Sequence, residues 1–220
     1  MNKILYCLII VALSVSCTKE TNLPEDNRCS SLVIDNPATQ LLSDQKLDTI
    51  KYLFNKNHLR TTSLQFFNYQ ESRGYQNILF KYIVAYQFVN GLKVFTDYRG
   101  FEFGKNDSLV FMDGDTILSL NLPKKPRLSL FQVRAIFSNA INTDGYKLYS
   151  SMQDSCMNME FGYYDLNAGT GNIIHKYTTA WKINPKNREY PYAFIDDLNV
   201  RLIYYDNGIR TLWENKATQR

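Results

Sequence analysis

Two histidines, His58 and His175, are all the imidazole the 220-residue chain contains. A zinc peptidase needs two imidazoles one helical turn apart with a glutamate between them. These two are far apart in sequence and fall on different expected elements, so neither is read as a metal ligand, and His175 is expected on a sheet face. A serine hydrolase needs a serine, a histidine and an acid within reach, plus an oxyanion hole. No Gly-x-Ser-x-Gly occurs, and Ser72-Arg73-Gly74 reads as part of a turn that begins at Glu71. Gly169-Thr170-Gly171 lacks the remaining glycine and the strand–helix context of a dinucleotide loop, which leaves a hairpin turn. Asp196-Asp197 would suit a cation or a shared proton only if both carboxylates converged. Adjacent strand residues point to opposite faces, so a hairpin corner is expected instead. These residues predict no catalytic centre, no metal and no cofactor, and the chain is read as non-enzymatic.

Cysteine chemistry says more. Lys3 followed by the apolar run Ile4 to Leu13 and the small residues Ser14-Val15-Ser16 has the form of an export signal, too short to span a bilayer comfortably, which takes about 20 residues. Cys17 directly after it resembles a lipobox, in which the cysteine becomes lipidated and N-terminal; Ser14 stands where a leucine is usual. An uncleaved anchor helix is the alternative. Cleavage would leave 24 basic against 21 acidic residues, a net charge of +3, and no basic run exceeds Lys124-Lys125 with Arg127. Nucleic acid is therefore not an expected partner. With Cys7 removed and Cys17 acylated, Cys29 and Cys156 are left as a pair in an oxidising compartment. One disulfide between them would close a loop of over a hundred residues and restrain the unfolded chain by ~4–5 kcal/mol; two unpaired thiols are the other possibility.

Sixteen tyrosines, thirteen phenylalanines and two tryptophans are the remaining conspicuous chemistry. Tyr163, Tyr164, Tyr177, Tyr190, Tyr192, Tyr204 and Tyr205 crowd the last third of the chain. They read either as core and cross-strand pairs or as an outward strip for binding, since tyrosine offers large contact area at low entropic cost. Trp181 is expected inside and Trp213 over a sheet edge.

The elements that must position these residues follow from periodicity. Residues 1–16 are the signal and 17–40 a polar tether without apolar period. Leu42, Leu47, Ile50, Leu53 and Phe54 recur at helical spacing after Ser43 and predict an amphipathic helix that fades by His58. Strands are expected over Ser63–Tyr69, Ile78–Val89, Leu92–Phe95, Tyr98–Phe103 and Ser108–Met112, with Asn90-Gly91 as the strongest hairpin signal. Pro123-Lys-Lys-Pro126 reads as a linker. Ser129 and Gln132 match a capping box for a helix carrying Leu130, Val133, Ile136, Phe137, Ala140 and Ile141 and stopping near Gly145. Short apolar runs from Tyr163 to Tyr205, divided by Asn167–Asn172, Asn184–Arg188 and Asp196–Asn199, predict a second antiparallel meander. The expectation is α+β: helix-then-meander twice, over 41–122 and 127–213.

Val84-Ala-Tyr-Gln-Phe-Val-Asn-Gly-Leu-Lys-Val-Phe95 resembles the FTP motif of fungalysin/thermolysin propeptides. Ala180-Trp-Lys-Ile183 and Tyr192-Ala-Phe-Ile-Asp196 resemble the strands of a PepSY domain, although Asp197-Leu198-Asn199 follows where Thr-Gly is usual. The resemblance covers residues 45–210 and implies two cystatin-like (PepSY-like) units, each a helix on a meander, that pack against, chaperone or inhibit a peptidase. The sequence ends at Arg220 with no peptidase after it, so such a partner is expected in trans. The resulting expectation is a lipid-anchored cell-envelope protein that binds another protein. The expected contacts are Asn90, Gly91, Lys186, Asn187, Arg188, Tyr192 and Tyr204. The alternative is a glycan or peptide ligand on an aromatic sheet face.

Overall fold

The computed structural model describes residues 30–33, 40–74, 77–144, 156–171 and 174–209. Cys17, Cys29, Gly145 and Trp213 lie outside these residues. The fold is mixed α+β, with a nine-stranded, mostly antiparallel sheet and two helices among the described residues. Neither helix is long and apolar enough to cross a membrane.

Helix α1 (Asp44–Lys56) starts after Ser43 and buries Ile50, Leu53 and Phe54, the predicted apolar stripe. That stripe packs on Phe66, Ile83, Ala85, Phe101 and Phe103 from the antiparallel strands β2 (Leu64–Arg73), β3 (Leu79–Val89) and β4 (Leu92–Phe103). Glu71, Ser72 and Arg73, expected in a turn, extend β2 instead, paired with Lys81, Phe80 and Leu79. Strand pairing across the long β3 overrides their weak local turn preference. The β3–β4 hairpin turns at Asn90-Gly91 with both residues at positive φ (55° and 82°), the geometry that Asn-Gly supplies. Past a 3-10 turn, β5 (Leu109–Asp113) pairs with the end of β4. The Asn57 side chain secures the end of α1 to this corner: its amide donates to Leu53 O and Asp107 O, and its oxygen accepts from Leu109 N.

Helix α2 (Leu130–Thr143) carries the predicted capping box, with Gln132 N donating to Ser129 Oγ and Ser129 N to Gln132 Oε1. Val133, Phe137 and Ile141 pack on Met157, Met159, Phe161, Trp181, Ile183, Ala193 and Ile195. These come from β6 (Met157–Asp165), β7 (Tyr177–Pro185) and β8 (Tyr192–Asp196), which β9 (Arg201–Asp206) completes as a second antiparallel run.

The two halves share one sheet. Between the pairs Tyr86↔Tyr98 and Phe88↔Lys93, β4 carries four residues opposite one residue of β3. This bulge swings Val94 into a parallel pairing with Tyr163 of β6, as bulges bend and twist a strand. Strand β1 (Ser31–Val33), inside the stretch expected as a tether, instead pairs in parallel with the other end of the same β6 edge, where strand pairing outweighs the lack of apolar period. On the helix side the seam is filled by Val89, Val94 and Tyr163, with Ile117, Leu120 and Leu122 folded against them. On the opposite side Gly162 lies under the Phe95 ring and the Lys93 carbonyl, so closely that a Cβ there would clash.

Candidate functional site

Strand alternation decides which residues leave the core. In β6 and β7, Met159, Phe161, Trp181 and Ile183 face α2, so Glu160, Tyr164, Lys182 and Asn184 face away. In β8, Ala193 and Ile195 face α2, which turns Tyr192 and Phe194 to the helix-free face. Tyr86 of β3, with Lys93, Phe95 and Tyr98 of β4, joins them from the first half. Together these residues line a cleft of about 580 Å³ that crosses the seam, with Tyr190 and Tyr204 on its far wall. That volume is within the ordinary range of ligand sites.

The rings form a connected run. Tyr192 lies 5.5 Å from Tyr190 and 5.9 Å from Tyr204, centroid to centroid, and meets Phe194 edge-on at 5.8 Å. Phe194 in turn contacts Tyr164 at 4.8 Å and, over the seam, Phe95 at 5.3 Å. A second group on the first half has Phe67, the bulged residue of β2, stacked on Tyr86 at 4.2 Å, with Tyr98 at 5.4 Å from Tyr86. Tyr98 (48% exposed) and Tyr204 (42%) offer accessible rings at the two ends.

Charge lies on the floor between the ring groups. Lys93 Nζ sits 3.8 Å from the Tyr86 centroid and 3.5 Å from Glu160 Oε1. Lys182 is the direct cross-strand neighbour of Glu160 and extends over Tyr192. Burial first, then the neighbouring Tyr204 and Asp206, pushes the Tyr192 phenol up, and burial does the same to Tyr164. Both remain neutral hydroxyls at any physiological pH. The cleft therefore presents ring faces, phenols, an amide and mutually compensated charges, which is equipment for holding a molecule.

Tyr192 and Tyr204, expected as binding residues, both line the cleft. Lys186, Asn187 and Arg188 form the exposed β7–β8 turn, Asn187 at positive φ, held by Asn184 Nδ2 donating to Arg188 O. The turn stands beside the rim residues Asn184 and Glu189. Asn90 and Gly91 are elsewhere. The Asn90 amide donates to Leu120 O, fastening the segment that joins the halves against the hairpin. Cys156 is disulfide-bonded; Cys29 lies outside the described residues. The first-half contributors, Tyr86, Lys93, Phe95 and Tyr98, were missed in sequence. The available signal was β4 alternation, which sets Lys93 and Phe95 opposite the buried Val94.

The carboxylates of Asp196, the last residue of β8, and Asp197, the first of the turn after it, diverge at the expected hairpin corner. Asp196 accepts from Thr178 Oγ1 and from the backbone of Leu198 and Asn199, closing its own turn. Asp197 accepts the Trp181 indole N–H and the backbone N–H groups of Arg127 and Leu128. Both are structural.

His175 departs from expectation. It sits two residues before β7, not on a sheet face, and bridges three segments at the end of the seam. Its Nδ1 lies 2.7 Å from Asp165 Oδ2 and its Nε2 3.2 Å from Asp115 Oδ2, while the ring stacks on Tyr177. The hydrogen bonds to Asp165 and then Asp115 raise the His175 pKa. Burial pushes the Asp165 carboxyl up, but the Lys176 and Asn167 backbone donors together with His175 outweigh it and hold it below the usual range. Atoms of Asp97, Asp165 and His175 come within 4.8 Å of one another, a spacing a cation would accept. Both ring nitrogens of His175 already face carboxylates there, an arrangement that favours the protonated imidazole.

No protein-family model matches the chain, and no curated protein matches it.

Proposed function

We propose that this protein is a non-catalytic ligand-binding module of the cell envelope, lipid-anchored through Cys17, that holds its ligand in the ring-lined cleft on the helix-free sheet face. The observation carrying this is the run Tyr190–Tyr192–Phe194–Phe95, which continues outward-facing rings from one half of the sheet onto the other. Two cystatin-like units fused through β4 and β6 are the evolutionary form this reading assigns to the fold, in keeping with the FTP- and PepSY-like strands.

The test uses the purified mature chain and its Tyr192→Ala/Tyr204→Ala variant, titrated with pooled oligosaccharides and pooled peptides. Binding to the parent that the variant loses supports the cleft. Binding that the variant keeps moves the site elsewhere, and no binding removes the proposal. Palmitate labelling that disappears in Cys17→Ser tests the anchor separately.

A second reading retains a protein partner, restrained or chaperoned in trans. It is favoured by β5, which among the described residues pairs only with β4 and exposes Val110, Phe111 and Met112. An open strand edge is a template for another chain. Slowing of a thermolysin-like peptidase by the parent, lost in Val110→Lys/Met112→Lys, would establish it.

A further inference from the structure

Resting on the assignment of the cleft as the binding site, we infer that its ligand is a neutral glycan, with pyranose rings stacking on Tyr192 and Tyr204 and hydroxyls read by the Lys93–Glu160 pair.

Backbone geometry argues against an extended peptide on this face. Peptides bound to sheets take main-chain hydrogen bonds from an open edge. The strands beneath the middle of the cleft are interior: β7 lies between β6 and β8, and β8 between β7 and β9, while β9, which carries Tyr204, ends the strand order. The N–H and C=O groups of β7 and β8 belong to the ladders, so recognition over these two strands uses side chains. Those side chains are mainly rings, whose negative π faces attract the polarised C–H bonds of a sugar face.

Electrostatics argues against a charged ligand. Lys93 Nζ is 3.5 Å from Glu160 and 3.8 Å from the Tyr86 centroid, and Glu160 faces Lys182 across the β6–β7 ladder. The cleft lining holds two lysines, Lys93 and Lys182, and two glutamates, Glu160 and Glu189, so it carries no net charge to attract a carboxylated or phosphorylated ligand. A neutral polyol finds donors and acceptors of both kinds without breaking a pair, and buried charged hydrogen bonds to hydroxyls discriminate strongly.

The experiment is calorimetric titration of the full mature chain with cellohexaose, xylohexaose and mannohexaose. Oligogalacturonate serves as a charged comparison and a random hexapeptide pool as a peptide comparison. The expected result is saturable binding of at least one neutral hexaose. Its Kd should change less than about threefold between ~0.05 and ~0.5 M salt, where screening would weaken an ionic contact. Tyr192→Ala/Tyr204→Ala should weaken it by about tenfold or more, equal to ~1.4 kcal/mol. Tyr192→Phe/Tyr204→Phe, which keeps the rings, should stay within about threefold of the parent on the same scale. Near-UV circular dichroism of each variant verifies folding, and Tyr52→Ala on the exposed face of α1 should leave Kd unchanged.

Binding of oligogalacturonate alone overturns the neutral-ligand inference, as does steep salt dependence. Peptide binding that the alanine variant loses overturns the glycan inference while leaving the cleft assignment standing. Failure of every probe overturns both, and neutral-glycan binding that the alanine variant retains overturns both as well.

Discussion

The indole N–H of Trp181 donates to Asp197 Oδ1 at 2.9 Å, linking the centre of β7 to the corner after β8. The same carboxylate accepts from Arg127 N and Leu128 N, so the segment entering α2 is secured by one buried side chain. Asp197→Ala leaves three donors without their acceptor, each costing about 1–3 kcal/mol when buried. The expected outcome is a loss of ~3 kcal/mol or more in urea unfolding, with Asp197→Asn intermediate because its amide retains one acceptor oxygen. Unchanged midpoints would show that this lock contributes nothing.

Lys93 and Glu160 are both largely buried on the cleft floor. Lys93→Met keeps the hydrocarbon stem and removes the charge 3.5 Å from Glu160; breaking a buried pair this way costs about 3–5 kcal/mol. Lys93→Met/Glu160→Gln should recover part of that loss. A double-mutant cycle by chemical denaturation measures the coupling, and simple additivity of the two losses would refute it.

Seam packing has its own test. A Cβ on Gly162 would lie 2.8 Å from the Phe95 ring and closer still to Lys93 O. Backbone cannot retreat as a flexible side chain can. Gly162→Ala should therefore destabilise by at least ~1–3 kcal/mol, the usual cost of overpacking, and should weaken ligand binding because Phe95 and Phe194 would part.

The His175 clamp predicts a pH dependence. Asp165 and Asp115 raise the folded-state pKa of His175 above its ordinary 6.5, with Asp97 and Tyr177 the other titratable groups facing the site. The stability it contributes is thus complete below pH 6.5 and is lost as pH rises through the higher folded value. Asp165 behaves oppositely: its depressed pKa gives stability that is present above 3.8 and lost as pH falls through the folded value. Unfolding midpoints followed from below pH 6.5 upward should decline in the parent and flatten in His175→Gln. A decline identical in both chains would place the titration elsewhere.

Cys156 is disulfide-bonded, and the expected partner is Cys29. Peptide mapping of unreduced protein should recover the two in one cross-linked fragment. Cys156→Ser should cost ~4–5 kcal/mol if the closed loop restrains the unfolded chain as the entropy model holds; recovery of Cys29 in an alkylated peptide would exclude this pairing.

Local patterns in the chain were enough to determine α1, α2, the capping box at Ser129 and the Asn90-Gly91 turn, but not β1 or most of β6. Helical period, capping and positive-φ turns are properties of a few neighbouring residues. Alternation also made Tyr192 and Tyr204 legible as outward candidates. Only the tertiary structure decided what stands beside them. The β4 bulge that carries Val94 to Tyr163 is a long-range pairing, and it goes with Phe95 over Gly162, Lys93 beside Glu160 and Asp97 beside the Asp165–His175 pair. Which strands become neighbours is settled by the packing of two helices and the closure of one sheet, and residues some seventy positions apart carry no local mark of their future contact.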